Sequence, residues 1–101
     1  GYYSRGLVYG RLDQYERAIQ DYDEAIRLDP QDAKTYLTRA LTHVILESYK
    51  RAIRDLDEAI RIDPQYAVAY HLRGLVNNLL GKSEEAERDF QRATDLGYDP
   101  P

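Results

Sequence analysis

An all-α solenoid of three antiparallel helix pairs is the fold this sequence predicts, and three observations predict it. The first is a repeat: Tyr15–Gln31 reads YERAIQDYDEAIRLDPQ and Tyr49–Gln65, 34 residues later, reads YKRAIRDLDEAIRIDPQ, with 13 of 17 positions identical. A looser third copy, SEEAERDFQRATDLGYD, begins at Ser83. A fixed period of this length marks a stack of supersecondary units, none of which buries its apolar face alone. The second is that Ala18, Ile19, Tyr22, Ala25 and Ile26 recur at i, i+3, i+4 and i+7, the stripe of a helix. The third is punctuation at regular places: Asp13–Gln14, Glu47–Ser48 and Gly81 between helices, and Pro30 and Pro64 between units.

Each element follows in order. Residues 1–12 form the first helix, where Tyr2, Tyr3, Leu7, Val8, Tyr9 and Leu12 cover more than one face. A helix apolar on two sides is sandwiched or expects a partner. The second helix spans Tyr15–Leu28 and points Glu16, Arg17, Asp21, Asp23, Glu24 and Arg27 outward. Pro30 stops it, lacking an N–H and disfavouring helical geometry at Asp29. Asp32 stands where the third helix, Ala33–Leu46, wants an N-cap. That helix is the most apolar of the chain. The fourth spans Tyr49–Ile62 and ends before Pro64. The fifth runs from about Gln65 to Leu80, and Gly81 supplies the turn. Ser83 offers a capping hydroxyl to the sixth, with Glu84 and Glu85 at its positive end. This helix ends near Leu96, and Tyr98–Pro101 is a tail. Ala18, Ala25, Ala52 and Ala59 let paired helices approach, so a bulky residue there costs roughly 1–3 kcal/mol. The chain divides into repeat one (1–32), repeat two (33–66) and repeat three (67–101) of a single domain.

Bulk properties narrow the function. A net charge of −4, from 18 acidic and 14 basic residues, argues against nucleic acid, which wants a basic face. The chain has no cysteine, which removes disulfides, thiol nucleophiles and cysteine-rich zinc sites. No apolar run approaches the roughly 18 residues that span a bilayer, so no membrane insertion is expected. A cytoplasmic location is the default, with an upstream targeting segment left open.

The spaced residues Tyr2, Gly6, Tyr9, Ala18, Tyr22, Ala25 and Pro30 recur as Tyr36, Ala40, His43, Ala52, Leu56, Ala59 and Pro64. They recur again as Tyr70, Gly74, Asn77, Ala86, Phe90 and Ala93, with Tyr98 in place of proline. In this pattern the chain resembles the tetratricopeptide repeat family. The resemblance implies a right-handed superhelix whose first helices line a concave groove. It is specific for fold and carries little about the partner, because the scaffold hosts many.

Groove positions carried over from the family are Tyr3, Leu7, Gly10 and Arg11 from repeat one, and Lys34, Leu37, Leu41, Val44 and Ile45 from repeat two. Repeat three supplies Val68, His71, Leu75, Asn78 and Leu79. A lining this apolar marks an interaction surface, into which an apolar helix or extended segment would lie. Arg11, Lys34, His71 and Asn78 would set its register. The competing reading makes some of these leucines core between repeats. Some family members grip a C-terminal carboxylate of heat-shock chaperones with Lys, Asn, Asn, Lys and Arg. Tyr3, Leu7, Thr38, Val68 and Leu72 stand at the matching positions, so a carboxylate there would lack donors.

Other constellations read as structural. Arg5, Arg39 and Arg73 recur with Asp21, Asp55 and Asp89, which predicts three ion pairs within repeats rather than a phosphate ladder. His43 replaces a packing aromatic, and His71 has no second ligand at zinc spacing. Acid pairs such as Asp21 with Asp23 lack an apolar pocket that would raise a pKa. No phosphate loop or nucleophile motif is present. Ten tyrosines resemble a stacking platform for single strands, yet Tyr2, Tyr9, Tyr22, Tyr36 and Tyr70 fall on packing positions. The reading is a non-enzymatic scaffold, without cofactor or metal, that binds another protein or peptide. The alternative is a homo-oligomer formed through the groove or through uncapped solenoid ends.

Overall fold

The computed structural model describes residues 1–100; the last residue of the expected tail, Pro101, lies outside the described residues. Six helices follow one another: α1 (Tyr2–Arg11), α2 (Tyr15–Leu28), α3 (Ala33–Ile45), α4 (Tyr49–Ile62), α5 (Ala67–Leu79) and α6 (Ser83–Asp95). Each odd-numbered helix packs on the even one that follows, and α2 and α4 also pack on α3 and α5. The body measures 35 × 24 × 24 Å. No strand occurs among the described residues, and no helix there is long and apolar enough to cross a membrane.

The hairpins are closed by the same device. After α1, α3 and α5 the chain steps through one left-handed residue, Asp13 (φ 59°), Glu47 (φ 59°) or Gly81 (φ 77°). The next amide then reaches back, from Gln14, Ser48 and Lys82 to the carbonyls of Tyr9, His43 and Asn77 at 2.9, 2.8 and 2.8 Å. These are Schellman closures, which satisfy carbonyls a helix end leaves unpaired. Gly97 (φ 94°) closes α6 likewise, with the Tyr98 amide on the Ala93 carbonyl at 2.9 Å. Asp32 caps α3 by accepting from the Lys34 amide at 3.2 Å. The expectation for Ser83 is corrected. Lys82 occupies the N-cap and Ser83 is the first helical residue, so its hydroxyl makes no cap bond. The short closure at Gly81 starts the helix one residue earlier than a serine cap would need.

The helix pairs are joined by small residues and by charge. Ala18, Ala52, Ala59, Ala86 and Ala93 are at most 1% exposed. Arg5, Arg39 and Arg73 each grip one aspartate of the following helix, Asp21, Asp55 and Asp89, through Nε and Nη2 at 2.7–2.9 Å. Asp21, expected outward, is therefore buried, because the Arg5 fork draws it into the α1–α2 seam. That pairing holds its carboxyl below the usual carboxylate range. Arg39 and Arg73 do more. Their Nη1 groups donate backwards, to Asp23 at 2.8 Å and to Asp57 at 2.9 Å, so one guanidinium ties two repeats. Tyr36 and Tyr70 add a second tie by donating to the carbonyls of Pro30 and Pro64.

Candidate functional site

Repeats two and three enclose an open apolar cleft of about 450 Å³. Its floor is Ala40, Leu56 and Val76, which also belong to the core, and its walls are Leu41 and Val44 of α3 and Leu72, Leu75 and Leu79 of α5. Asn78 is the one side-chain amide on its rim. Helical spacing explains this lining. Leu41 and Val44 sit three apart on α3, and Leu75 and Asn78 occupy the same register one period later on α5. Leu41, Leu75 and Leu79 are 39%, 43% and 57% exposed, so water covers large apolar side chains here. A solvated leucine wall of this kind gains about 25 cal/mol per Å² when a partner covers it.

The cleft brings together Leu41, Val44, Leu75 and Asn78 of the expected groove residues, with Leu79. It does not bring in the others. Leu37 is corrected to core: it is buried with Ala40, Leu56 and Val76. Val68 packs half-buried against that same cluster. Ile45 is exposed outside the cleft. On α1, Leu7 and Gly10 are half-buried and Arg11 is exposed, away from the lining. His71 is placed apart from the cleft. It is half-buried, with the rings of Phe90 (5.3 Å) and Tyr98 (4.6 Å) tilted beside it. Ala40, Leu56, Leu72 and Val76 were not expected to line the site. Their packing positions in the repeat are the signal, because a cleft between two repeats has packing residues for its floor.

The positions of the chaperone clamp are filled by the protein itself. The Tyr3 hydroxyl shares a hydrogen bond with Thr38 Oγ1 at 3.0 Å. The Lys34 ammonium sits 4.7 Å from the centre of the Tyr3 ring, a cation–π contact. Leu7, Val68 and Leu72 complete the set and carry no donor. The Lys34 charge beside these positions is thus committed to an aromatic face.

His43 is buried against α4, with Nε2 3.7 Å from Asp55 Oδ2 and a buried Nδ1 that finds no partner among the described residues. Burial lowers its pKa. The pocket beside it is lined by Glu16, Ile19, Leu46, Ser48 and Arg51. Among the described residues no group of three acidic or histidine side chains is arranged to hold a metal.

Comparison with known proteins gives one consistent picture. A family model described as tetratricopeptide repeat matches residues 1–32, and another of that description matches residues 37–100. The second repeat domain of Spaghetti (RPAP3), solved with the HSP90 peptide SRMEEVD, is 33% identical. The match covers 94% of this chain and 88% of that one, with a TM-score of 0.90. The second such domain of human RPAP3, in complex with the HSP70 peptide SGPTIEEVD, is 32% identical over 95% and 80% of the two chains, TM-score 0.90. The crystal structure of MamA is 27% identical over 94% of this chain and 56% of its own, TM-score 0.92. A search of curated proteins matched no relative.

Proposed function

The chain belongs to the tetratricopeptide repeat family, and from that premise we propose that it holds an apolar, leucine-bearing peptide segment in the cleft between α3 and α5. The family's domains are non-enzymatic protein-interaction modules, and this chain is one. The finer reading rests on a single observation: Leu41, Leu75 and Leu79 stand exposed around an apolar cleft with one amide on its rim. An amphipathic helix presents apolar side chains at the spacing such a groove accepts, and Asn78 would fix its register by hydrogen bonding its backbone. The similar RPAP3 domains carry acidic peptides ending in EEVD. This chain has Tyr3, Leu7, Thr38, Val68 and Leu72 where the family's carboxylate clamp stands. The Tyr3 and Thr38 hydroxyls are engaged with each other and with the Lys34 carbonyl, and the three aliphatic side chains offer no donor, so desolvating a carboxylate there would cost several kcal/mol.

Fluorescence anisotropy with two labelled peptides tests the reading. One is SRMEEVD; the other is an amphipathic helix with leucines at i, i+3, i+4 and i+7 and an amidated C-terminus. The leucine peptide binds, and Leu75→Asp or Leu41→Asp removes binding while the fold survives by circular dichroism. Binding of SRMEEVD alone would overturn it. Self-association, the other reading, gains no support at the C-terminal end, where α6 presents Glu87, Gln91 and Thr94 to solvent.

A further inference from the structure

The helices that form the groove differ in charge from the rest of the chain. Of the 18 acidic residues, none lies on α1, α3 or α5. Those three helices carry Arg5, Arg11, Lys34, Arg39 and Arg73, although the whole chain has a net charge of −4. Four of these cations are occupied. Arg5, Arg39 and Arg73 fork onto buried aspartates of the following helix, and Lys34 lies over the Tyr3 ring. Arg11 is exposed and has neither a carboxylate nor a ring against it among the described residues. It stands one period before Ile45 and two before Leu79, at one of the groove positions. That register is open in every repeat: Ile45 and Leu79 are 56% and 57% exposed although a repeat precedes each. The exposure of Arg11 therefore belongs to its register and not to its place in the chain.

We infer, resting on the cleft reading above, that the leucine-bearing helix held between α3 and α5 also carries an acidic side chain, set to meet Arg11 as it crosses α1. The groove is apolar at one end and cationic at the other. Leu41, Leu75 and Leu79 stand at the cleft, while α1 has Arg11 where α3 and α5 have Ile45 and Leu79. Neighbouring helices lie about 10 Å apart, and a crossing helix rises about 1.5 Å per residue. About seven residues, two turns, thus separate its side chain over α3 from the one over α1. A partner with leucines at i and i+4 across the cleft has its Asp or Glu near i+11, on the same face. An acid there meets no carboxylate on α1, α3 or α5, whereas a Lys or Arg would be repelled by Arg11. Arg11 lies outside the five clamp positions, so the side-chain carboxylate it meets is distinct from the chain-terminal one that a clamp grips.

A second copy of this chain does not supply such a helix. Its exposed apolar pairs at i and i+4 are Val8 with Leu12, Leu41 with Ile45, and Leu75 with Leu79. All three pairs lie on or at the end of α1, α3 or α5, the helices without an acid. The occupant is therefore an acidic amphipathic helix of another protein.

Fluorescence anisotropy at low salt tests this with labelled, amidated peptides that share leucines at i, i+3, i+4 and i+7. They differ only at i+11, which is Glu, Gln or Lys, and a second set has the same pattern in reverse chain order. Against the unaltered chain, the Glu peptide of one set binds about tenfold more tightly than its Lys counterpart, with Gln between, a gap that one attraction and one repulsion at an exposed site can supply. The gap closes at about 1 M salt, where screening acts within about 3 Å. Arg11→Glu reverses the order and Arg11→Gln levels it, both variants keeping the fold by circular dichroism. The same peptides face every variant, so differences in their own helicity cancel. Equal binding of the three peptides in both sets overturns the inference and leaves the leucine reading standing, as does an order that Arg11→Glu leaves unchanged. Absence of binding by every leucine peptide overturns both. A dimer of the unaltered chain in sedimentation velocity that Arg11→Glu dissolves overturns the inference too, because a second copy is then the occupant.

Discussion

A Cβ built on Gly74 would lie 2.7 Å from Cε1 of the Phe90 ring, closer than real Cβ atoms approach. Gly6 has the same relation to Tyr22, at 2.6 Å. At this register repeat two pairs Ala40 with Leu56. The size of the small residue is thus set by the ring across from it: glycine opposes an aromatic and alanine opposes leucine. Gly74→Ala will destabilise the chain by about 1–3 kcal/mol through overpacking, although alanine favours a helix by about 1 kcal/mol. In a Phe90→Leu background the same change will cost little or will stabilise. Urea unfolding of the four proteins measures the coupling, and additive effects would refute it.

Arg39 predicts unequal losses from its two partners. Asp55 is buried and takes two of its bonds, whereas Asp23 is more than half exposed and takes one. Asp55→Ala leaves a largely buried guanidinium short of acceptors and will cost about 3 kcal/mol. Asp23→Ala will cost less than about 1 kcal/mol. Equal shifts in denaturation midpoint would contradict this account of the guanidinium.

Glu47 holds φ at 59° where the equivalent residue of repeat three is Gly81. A side chain in the left-handed region is strained and glycine is not. Glu47→Gly will therefore stabilise by about 0.5–1 kcal/mol, the strain relieved exceeding the added freedom of the unfolded chain. A lowered thermal midpoint would show that Glu47 makes a compensating interaction.

Much of this was legible because the chain says the same thing more than once. The bounds of α2 and α4 follow from stripes bracketed by turn residues and proline, and Leu41, Val44, Leu75 and Asn78 from the groove positions that the family resemblance implies. The backward ties are written there too: aspartates stand 16 residues on both sides of Arg39 and of Arg73. Two placements were not legible. Leu37 is core because Leu56 and Val76 converge on it in three dimensions, which helix register alone does not report. His71 meets the Tyr98 ring because the Gly97 closure folds Tyr98 back, and Tyr98 stands where the repeat pattern has proline.

His43 makes stability depend on mild acid. Its imidazole is buried, and desolvation lowers its pKa from the ordinary 6.5. Asp55 and Asp23 oppose that shift, and Arg39 and Arg51 reinforce it. The folded pKa thus lies below the unfolded one, so between them the unfolded chain binds more protons. Stability from this group is complete above the unfolded value and declines as pH falls through the folded one. Repeat three shows how to remove the dependence, since Asn77 at the same register donates to Asp89 at 3.1 Å. His43→Asn will give a chain whose urea midpoint falls less than the parent's between pH 7.5 and 5.5. Parallel midpoints across that range would mean His43 binds its proton equally well folded and unfolded.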